Sequence, residues 1–565
     1  MLRCLTSLLL VLMLATVGAG SNAFLVDCAG SGDFTKIQDA IDASEAGGEV
    51  IVLNGTYREN LVVDRSITLL ADGRPVVEGD DTMEPIIVIN ASGVVVDGFV
   101  LAGGSYDRSL ETVECDSAAV LVLSDGSRII NNTISGSPGH GIFIQNSTGH
   151  LVSANKIHDN LLAGIRLFGV NSSAIETSEV HRNAYGIFIE NSQENWISNS
   201  EVWGNGADGI TIAESYRNEF SSNSIHNNSE NGVHLSESNN NIFVANRIRD
   251  CENSGIDIYR SDSNMITMQT IEICDEMGIN IDSSKNNVIV QNVLSDNDLS
   301  GIAYRGSSFN TVSKNVIRNN RESGISLRGE SEHNLIMKND VSGNKRYGLV
   351  LDDSDLNFVQ ENEIRRNGDG VIIRYSSDVY IVENEIEDNV FGVSLEFVHN
   401  AAVSKNHIAN STRDGIRLLR CDNGKIYGNS INNSVADGVH VLRSTGTVVS
   451  DNDIHESGEY GIQVLDESSE NLFMTNLIRD SGLGGIYMFH GELNLIMSNA
   501  LIDNGKFNGR DNGGNRWIGN HYSDYACKEM IGTMIGMEPY EIQGQRGAVT
   551  FDHRPFLNYR ILLGR

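Results

Sequence analysis

Apolar and polar residues alternate along most of this chain in runs of three to five positions. A turn residue closes each run, as in Gly232-Val-His-Leu-Ser and Asn240-Asn-Ile-Phe-Val. Alternation with a period of two predicts short, half-buried β-strands. No window places apolar residues at i, i+3, i+4 and i+7 over a length that a helical repeat requires. The repeating unit is therefore predicted to consist of strands.

This pattern returns at a nearly fixed distance. Between Gly141 and Gly485, sixteen glycines each open a Gly-aliphatic-x-apolar unit, as at Gly232, Gly255 and Gly278. Ten of the fifteen gaps between them are equal, three are one position shorter and two are one position longer. A second column, an aliphatic residue with Asn two places before it, runs from Asn132/Ile134 to Asn499/Leu501, and fourteen of its seventeen turns have the Asn. A fixed period of this kind indicates stacked copies of one supersecondary unit.

Three short strands in each coil of about 23 residues predict an all-β fold, a right-handed, single-stranded parallel β-helix. Successive coils then lie about 4.8 Å apart and place like residues over like. We expect the turn asparagines to bond the asparagines and backbone of neighbouring coils. We expect the glycines to provide positive φ and close approach of the backbone at the corners.

The departures from the repeat divide the chain. Residues 1–23 read as a signal peptide, 24–104 as an N-terminal cap with irregular first coils, 105–117 as an inserted loop, 118–503 as regular coils and 504–565 as an irregular C-terminal cap. A short helix with Ile37, Ala40 and Ile41 on one face is expected to cover the N-terminal end of the apolar interior, with Asp33 or Thr35 as its N-cap.

Export is the expected fate of the chain. Arg3 precedes an apolar run from Leu5 to Val17, and Ser21-Asn22-Ala23 fits a cleavage site, although an uncleaved N-terminal anchor is an alternative. No later segment has 18 consecutive apolar residues, so no transmembrane segment is expected in the mature chain. The protein is then secreted, on the cell surface or in the periplasm, and the full chain has a net charge of −34. That charge argues against nucleic acid and anionic membranes and leaves cations, polysaccharides or glycoprotein surfaces as partners.

Cys251 and Cys274 are one period apart, and each lies four places before a column glycine. The two residues are expected on adjacent coils, where the spacing suits a disulfide, and an exported protein favours its formation. The pairing of Cys28, Cys115, Cys421 and Cys527 stays open.

Outward positions on the glycine-led strands offer two candidate sites. The first is a strip of acidic, basic and aromatic groups in consecutive coils, in which Arg would neutralise a uronate carboxyl, Asp or His would act as base and Tyr as acid. A ladder of ordinary surface ion pairs fits the same residues. The second is a basic patch that suits an anionic sugar, or is solvated decoration. The catalytic candidates are His234, Asp257, Tyr259, Asp282, Arg305 and Arg328, and the binding candidates are Arg417, Arg420, His440, Arg443, Asp466, Tyr487 and His490.

Both ends of the chain resemble known families. The start, from Gly30-Ser-Gly-Asp-Phe-Thr to Gly55-Thr-Tyr, resembles secreted right-handed β-helix proteins such as pectin methylesterases. The repeats are similar to those of the carbohydrate-binding and sugar-hydrolysis (CASH) domain group. The tail, from Trp517-Ile-Gly-Asn-His-Tyr through Ile535-Gly-Met-Glu-Pro-Tyr to Asp552-His-Arg-Pro-Phe-Leu, resembles the C-terminal signature of the NosD family. The catalytic runs of pectin methylesterases and the Asp-Pro-His-Asp signature of mannuronan epimerases are missing.

The NosD resemblance implies copper as a cofactor, because that family is named after an accessory protein for a copper centre. Cys527, Met530, Met534 and Met537 are the candidate ligands, since thiols and thioethers suit Cu(I). Their spacing groups the sulfurs only if the segment is helical, and methionine as apolar filler is the alternative. Three functions therefore remain: a carbohydrate- or partner-binding scaffold, which we favour, a polysaccharide lyase, epimerase or hydrolase, and a copper-site accessory protein.

Overall fold

The computed structural model describes residues 23–80, 84–103 and 117–562. It divides into two compact units, the first ending at Glu179 and the second beginning at Val180. The expected signal peptide, apart from Ala23, and the expected loop 105–117, apart from Ser117, lie outside the described residues, as does Cys115. The proposed domain boundaries stay predictions.

Each unit is a right-handed β-solenoid of parallel strands, as the sequence predicts. Every regular coil contributes one strand to each of three sheets. The strand that begins near the column glycine belongs to what we call the glycine sheet, and the next two strands of the coil belong to the second and third sheets.

In the first unit the glycine sheet comprises Leu61–Val63, Ile87–Ile89, Ala118–Val122, His140–Gln145 and Ala163–Phe168. The second sheet comprises Ala23–Val26, Glu49–Leu53, Thr68–Asp72, Val95–Asp97, Arg128–Ile130, Leu151–Ser153 and Ala174–Glu176. The third comprises Thr56–Arg58, Val76–Glu78, Val100–Ala102, Thr133–Ser135 and Lys156–His158, and the strand Glu179–His181 contains the unit boundary.

In the second unit the glycine sheet comprises Tyr185–Glu190, Ile210–Ala213, Val233–Ser236, Ile256–Tyr259, Ile279–Asp282, Ile302–Arg305, Ser323–Arg328, Tyr347–Asp352, Asp369–Arg374, Val393–Glu396, Ile416–Leu419, Val439–Leu442, Tyr460–Leu465, Gly484–Phe489 and Gly509–Asp511. The second sheet comprises Trp196–Ser198, Glu219–Ser221, Ile242–Val244, Met265–Thr267, Val288–Val290, Thr311–Ser313, Leu335–Met337, Phe358–Gln360, Tyr380–Val382, Ala402–Ser404, Lys425–Tyr427, Val448–Ser450, Leu472–Met474, Leu495–Met497 and Arg516–Ile518. The third comprises Glu201–Trp203, Ser224–His226, Arg247–Arg249, Thr270–Glu272, Val293–Ser295, Val316–Arg318, Asp340–Ser342, Glu363–Arg365, Glu385–Glu387, His407–Ala409, Ser430–Asn432, Asp453–His455, Leu477–Arg479, Ala500–Ile502 and His521–Tyr522.

Columns of aliphatic side chains fill the interior. Ile256, Ile258, Ile266 and Ile271 of one coil are fully buried. The residues that alternate with them point outward, because successive side chains of a strand face opposite sides. The register stacks each interior residue on its equivalent in the next coil, as Ile258 on Ile281. Burial of these columns supplies the hydrophobic stabilisation of the coil.

Buried asparagines hold the coils together in ladders. The backbone N–H and the Nδ2 of Asn223 both donate to Oδ1 of Asn246, at 2.9 and 3.0 Å, and the same Nδ2 donates to the carbonyl of Ile197 at 2.8 Å. This confirms the expected bonding of turn asparagines. The ladder in the second unit continues through Ser200, Asn223, Asn246, Gln269, Asn292, Asn315, Asn339, Asn362, Asn384, Asn406, Asn429, Asn452, Asn476, Asn499 and Asn520.

The column glycines are required by packing rather than by their φ angles. None of the sixteen has a positive φ, so that part of the expectation is wrong. A Cβ added to Gly278 would lie 2.6 Å from the carbonyl oxygen of Gly301 and 2.9 Å from a methyl of Leu294. The left-handed conformation occurs instead at ordinary residues before the ladder positions, such as Asn240 (φ 57°) before Asn241 and Ala245 (φ 55°) before Asn246.

The helix Ile37–Ala43 buries Ile37, Ala40 and Ile41 as expected. Its N-terminus is capped from a distance: Glu59 accepts hydrogen bonds from the N–H groups of Ile37 and Gln38 at 2.9 and 3.0 Å. The prediction of Asp33 or Thr35 as the N-cap is therefore wrong, since position 36 is the N-cap and has no side-chain bond. Among the described residues, no helix is long and apolar enough to cross a membrane.

The C-terminal cap contains a hairpin, Tyr540–Gln543 with Val549–Asp552, the short 3-10 turn Gln545–Gly547 and a final helix, Tyr559–Leu562. Asp552 is fully buried and accepts hydrogen bonds from Gly519, Asn520 and the hydroxyl of Tyr522. The cap therefore closes the ladder whose last amide is Asn520.

The ladder predicts the effect of removing one rung. Asn315→Ala deletes four buried hydrogen bonds, to Asn292 and Asn339 and to the carbonyl of Ile289. We expect a loss of about 3 kcal/mol of local stability, since a buried donor left unpaired costs about 1–3 kcal/mol. Native-state hydrogen exchange of the surrounding coils measures it. Thr311→Ser, on the outside of the same coil, is the control and should change protection by less than about 0.5 kcal/mol. Equal protection in the two variants would contradict the role of the ladder.

Candidate functional site

The outward residues of the glycine sheet form columns in the predicted register. His234, Asp257 and Asn280 lie side by side on consecutive strands. Nδ1 of His234 is 2.9 Å from Oδ2 of Asp257, and Nδ2 of Asn280 donates to Oδ1 of the same carboxylate at 2.7 Å. The hydrogen bond to Asp257 raises the pKa of His234, although burial opposes the charged imidazole. These three side chains form a continuous hydrogen-bonded chain.

A second column, two residues further along each strand, runs through Tyr259, Asp282, Arg305 and Arg328 in adjacent coils. Both arginines are exposed. Within the described residues, neither guanidinium makes an ion pair or a hydrogen bond with another side chain. Two unpaired cations therefore stand on neighbouring strands of a chain with a net charge of −34.

The same two arginines line a pocket of about 520 Å³. Its wall combines polar groups with apolar surface, and its residues are Met277, Asn280, Asp282, Leu299, Ser300, Ala303, Tyr304, Arg305, Glu322, Ser326, Arg328 and Gly329. Tyr304 belongs to the interior column between Ile281 and Leu327. Its hydroxyl is buried without a hydrogen-bond partner in the described structure, and burial raises its pKa. Asn280 joins this pocket to the hydrogen-bonded chain of His234 and Asp257.

Further along the sheet the charges neutralise one another. Glu396 accepts from Arg374 at 2.9 Å and from Arg417 at 3.4 Å. Arg417 also lies over the ring of Phe391, with its guanidinium carbon 5.4 Å from the ring centroid. Arg417 is therefore paired, unlike Arg305 and Arg328.

His440, in register with Arg417, lies between two buried carboxylates. Its Nδ1 is 3.5 Å from Oδ2 of Asp414 and 3.2 Å from Oδ2 of Asp437. Burial disfavours the imidazolium, but the hydrogen bonds to both aspartates outweigh it and raise the pKa of His440 to about 9. Burial also raises the pKa of Asp437. One ligand atom from each of the three residues lies within 4.8 Å of the others, which is close enough to hold a cation.

The remaining binding candidates lie around a second pocket, of about 790 Å³, lined by Arg420, Arg443, Asp466, Glu467, His490 and Glu492. Arg443 is 3.5 Å from Asp466, and Arg420 lies over Phe397. Three carboxylates against two arginines make this pocket a poor match for an anion. Tyr487 stands apart from it, stacked on Tyr460 with ring centroids 4.9 Å apart.

Cys251 and Cys274 occupy two successive rungs between Asn228 and Asn297, in a column that continues with amides to Asn389 and then with Ser411, Ser434, Ser457 and Ser481. Both are buried free thiols, in contrast to the predicted disulfide. Their hydrogen bond and burial raise the pKa of Cys251, so the reactive thiolate is disfavoured. Each sulfur also donates to a carbonyl two residues earlier, whereas the amide of Asn228 donates to the carbonyl of Val202 in the preceding coil.

The four candidate copper ligands lie on a hairpin-like turn rather than on a helix. Glu529 bridges to Gly536 in antiparallel fashion, and Met537 donates to the carbonyl of Lys528 at 2.9 Å. Met530, Met534 and Met537 are exposed. A hydrogen bond with Tyr525 lowers the pKa of the Cys527 thiol. The helical spacing that would group the sulfurs is therefore absent from this described segment.

Sequence reasoning missed Asp414 and Asp437. Each directly precedes a column glycine, a position that the column of outward residues does not include. Asp208 and Asp369 occupy the equivalent place in other coils, and Asp208 accepts from Thr211 and Asn231. Aligning the residue before each glycine would have revealed that Asp414 and Asp437 lie in neighbouring coils.

The environment of His440 predicts a pH-dependent contribution to stability. Because its pKa is raised from 6.5 to about 9, its stabilisation is fully present below about pH 6.5 and is lost as the pH rises through 9. The stability advantage of the wild type over His440→Gln, measured by thermal unfolding from pH 6 to 10, should shrink across that range. Asp414→Asn should lower the pKa of His440 in an NMR titration. An imidazole that titrates near 6.5 in the wild type would contradict the assignment.

Solved structures with a similar fold include the periplasmic alginate epimerase AlgG, which is 15% identical with a TM-score of 0.32 over 59% of this chain and 76% of that chain. A mutant of the PL6 family alginate lyase AlyGC is 12% identical with a TM-score of 0.38 over 85% of this chain and 98% of that chain. Neither likeness bears on what this chain binds.

A cell surface glycoprotein of Methanothermus fervidus is 32% identical over 129 residues, which are 22% of this chain and 20% of that protein. The chain thus matches about a fifth of the length of this relative. The family model of the right-handed beta helix region matches residues 118–267, 186–341, 260–402, 323–478 and 369–520, which together span more than half of the chain. The chain belongs to the right-handed β-helix family.

Proposed function

We propose that the protein is an exported, cell-surface scaffold that binds an acidic polysaccharide in the pocket of Arg305 and Arg328. One observation carries the proposal: two unpaired guanidiniums stand on adjacent strands of a strongly acidic chain. A cation without an internal partner on such a surface is available to an external anion. The surface location is supported by the likeness to a cell surface glycoprotein.

The chemistry of the pocket fits a sugar acid. Arg binds carboxylates through two parallel hydrogen bonds, and the strands bearing the two arginines are about 4.8 Å apart. Asn280, Ser300 and Ser326 offer donors and acceptors to hydroxyl groups, while Ala303 and Leu299 offer apolar surface. Polar groups beside apolar surface are typical of ligand pockets, and the wall also carries the carboxylates of Asp282 and Glu322.

Binding fits the charge distribution better than catalysis does. Asp437 and His440, whose pKa values are both raised, lie six coils beyond Arg305, or about 29 Å at the usual strand spacing. A lyase or epimerase needs its acid and base at the carboxylate that the arginine neutralises. Asp437 and His440 are therefore too far away to serve a carboxylate bound at Arg305, and the acid and base would have to come from Asp282 and Tyr259.

We expect polygalacturonate to bind and dextran, a neutral glucan, not to bind. Arg305→Gln and Arg328→Gln should each weaken polygalacturonate binding about tenfold, because a charge-assisted hydrogen bond contributes about 1.5–3 kcal/mol. Isothermal titration calorimetry at two salt concentrations measures this, and binding should weaken with salt. Arg247→Gln, on the third sheet and paired with Glu272, is the matched control and should bind normally. Unchanged binding in the double variant at 305 and 328 would refute the site.

The second candidate is a polysaccharide lyase or epimerase, and the hydrogen-bonded chain of His234, Asp257 and Asn280 favours it, since Asn280 reaches the same pocket. In this alternative Asp282 removes the proton alpha to the uronate carboxyl and Tyr259 protonates the leaving group. Incubation with polygalacturonate or alginate distinguishes the candidates: elimination leaves an unsaturated sugar that absorbs in the ultraviolet, epimerisation returns the proton to the opposite face of C5 and changes the ratio of C5 epimers in the NMR spectrum, and binding alone changes neither.

A copper-accessory role, from the NosD resemblance, concerns the C-terminal cap. Exposed thioethers at Met530, Met534 and Met537 and the favoured thiolate of Cys527 are suitable soft ligands for Cu(I). If the role is correct, the protein takes up Cu(I) in a fixed stoichiometry, and replacing the three methionines by Leu abolishes uptake in a competition titration with a chromogenic chelator. Uptake unchanged in that variant, or absent in the wild type, would end this proposal.

A further inference from the structure

One long face of the second unit is almost free of charge. It consists of the outward residues of twelve strands of the second sheet, and we call it the apolar face. Lys425 is its one charged residue. The apolar face comprises Ile242, Val244, Met265, Thr267, Val288, Val290, Thr311, Ser313, Leu335, Met337, Phe358, Gln360, Tyr380, Val382, Ala402, Ser404, Lys425, Tyr427, Val448, Ser450, Leu472, Met474, Leu495 and Met497.

The third sheet of the same coils is its opposite in composition. Eleven of its twenty-four outward residues are charged: Arg247, Arg249, Glu272, Arg318, Asp340, Glu363, Arg365, Glu385, Glu387, Asp453 and Arg479. A chain with a net charge of −34 therefore excludes charge from one sheet face while it places many charges on the next. Because charged residues are almost absent over twelve successive coils, their absence is a property of the whole face rather than of single positions.

The apolar face is accessible in the single chain. Ile242 is 38% exposed, Met265 41% and Phe358 44%. Phe358 and Tyr380 stack with ring centroids 4.5 Å apart. Of the helices and strands in the described part of the chain, those that pack substantially against these twelve strands are their neighbours in the same sheet. Contiguous apolar surface of this extent marks an interaction site.

We propose that the apolar face is a dimer interface, on which a second copy of this chain packs face to face. Twelve strands at about 4.8 Å and a width of roughly 10 Å give about 550 Å² of projected area. Stable complexes bury about 800 Å² per partner, which is of the same order. Two sheets pack through such faces about 10 Å apart.

The order of residues along the face fits a two-fold axis. A self-complementary interface pairs each position with its mirror in sequence order. With the axis between the strands of Phe358 and Tyr380, these stacked rings lie at the centre, where large aromatic residues contribute most. Lys425 then faces the strand Thr311–Ser313, whose hydroxyls accept from its ammonium group. The single cation thus meets a polar strand rather than an apolar one.

The charge distribution also favours a second copy of this chain over a membrane or a polysaccharide as the binding partner. Two acidic chains approach most easily through surfaces with little charge of their own, and this face, with Lys425 as its one charged residue, meets that requirement. An anionic membrane would repel a chain with a net charge of −34. A polysaccharide needs more hydrogen-bonding groups than the few hydroxyls and one amide here.

The experiment measures mass by light scattering and sedimentation for the full chain between about 1 and 100 μM. We expect a dimer for the wild type and a monomer for Phe358→Glu, because two introduced carboxylates would meet near the axis. Val435→Glu replaces an apolar side chain that is 64% exposed and lies off the face, and it should remain dimeric. Circular dichroism checks that each variant is folded.

Phe358→Ser and Tyr380→Ser supply milder changes and should raise the dimer dissociation constant at least tenfold if the carboxylate variant fails to fold. A wild type that is monomeric at 100 μM would overturn the proposal, as would a folded Phe358→Glu dimer. Flotation of a monomeric wild type with phosphatidylcholine vesicles would also overturn it and would assign the face to lipid.

Discussion

Hydrogen bonding between stacked amides is the interaction on which the rest of this structure depends. Each regular coil turns several corners through residues with left-handed φ, a conformation that costs roughly 1–2 kcal/mol for a residue with a side chain. In the coil of Gly232, these corners are at Glu237, Asn240, Ala245 and Asp250. In this coil the residues after the corners are Ser238, Asn241, Asn246 and Cys251, all buried, and their bonds to the neighbouring coils offset the strain.

The ladders explain how much of the fold could be predicted. A column that must present an amide to the coil above has to repeat Asn at a fixed spacing, so the sequence reveals the period, the strands and the interior columns. The sequence does not reveal hydrogen bonds and close contacts between residues of different coils. Glu59 caps the N-terminal helix from beyond the next two strands, and the column glycines are set by the carbonyl of the next coil rather than by their own φ.

For the candidate site, too, the sequence predicts which residues lie in register but not which contacts they make. The register of Asp282, Arg305 and Arg328 follows from the period alone. Which cations are paired does not, because pairing depends on the reach of side chains between coils: Arg417 finds Glu396, whereas Arg305 and Arg328 find no carboxylate among the described residues. Asp414 and Asp437 were missed because they precede the glycines, a position that was not compared between coils. The C-terminal tail departs from the repeat, so the period does not predict which of its residues lie side by side.

Three columns of ladder residues reach the C-terminal cap with an asparagine, and each of these asparagines donates to a carboxylate. Asn520 donates to Asp552, Asn515 to Asp511 and Asn508 to Asp524. An ionised carboxylate accepts hydrogen bonds but has none to donate, so it stops a chain of donors that would otherwise present a free edge amide to another molecule. The residues that end these columns therefore lie in the C-terminal cap and not in the repeating coils. A gene that gained or lost one whole period would change the length of the solenoid and keep the same ending.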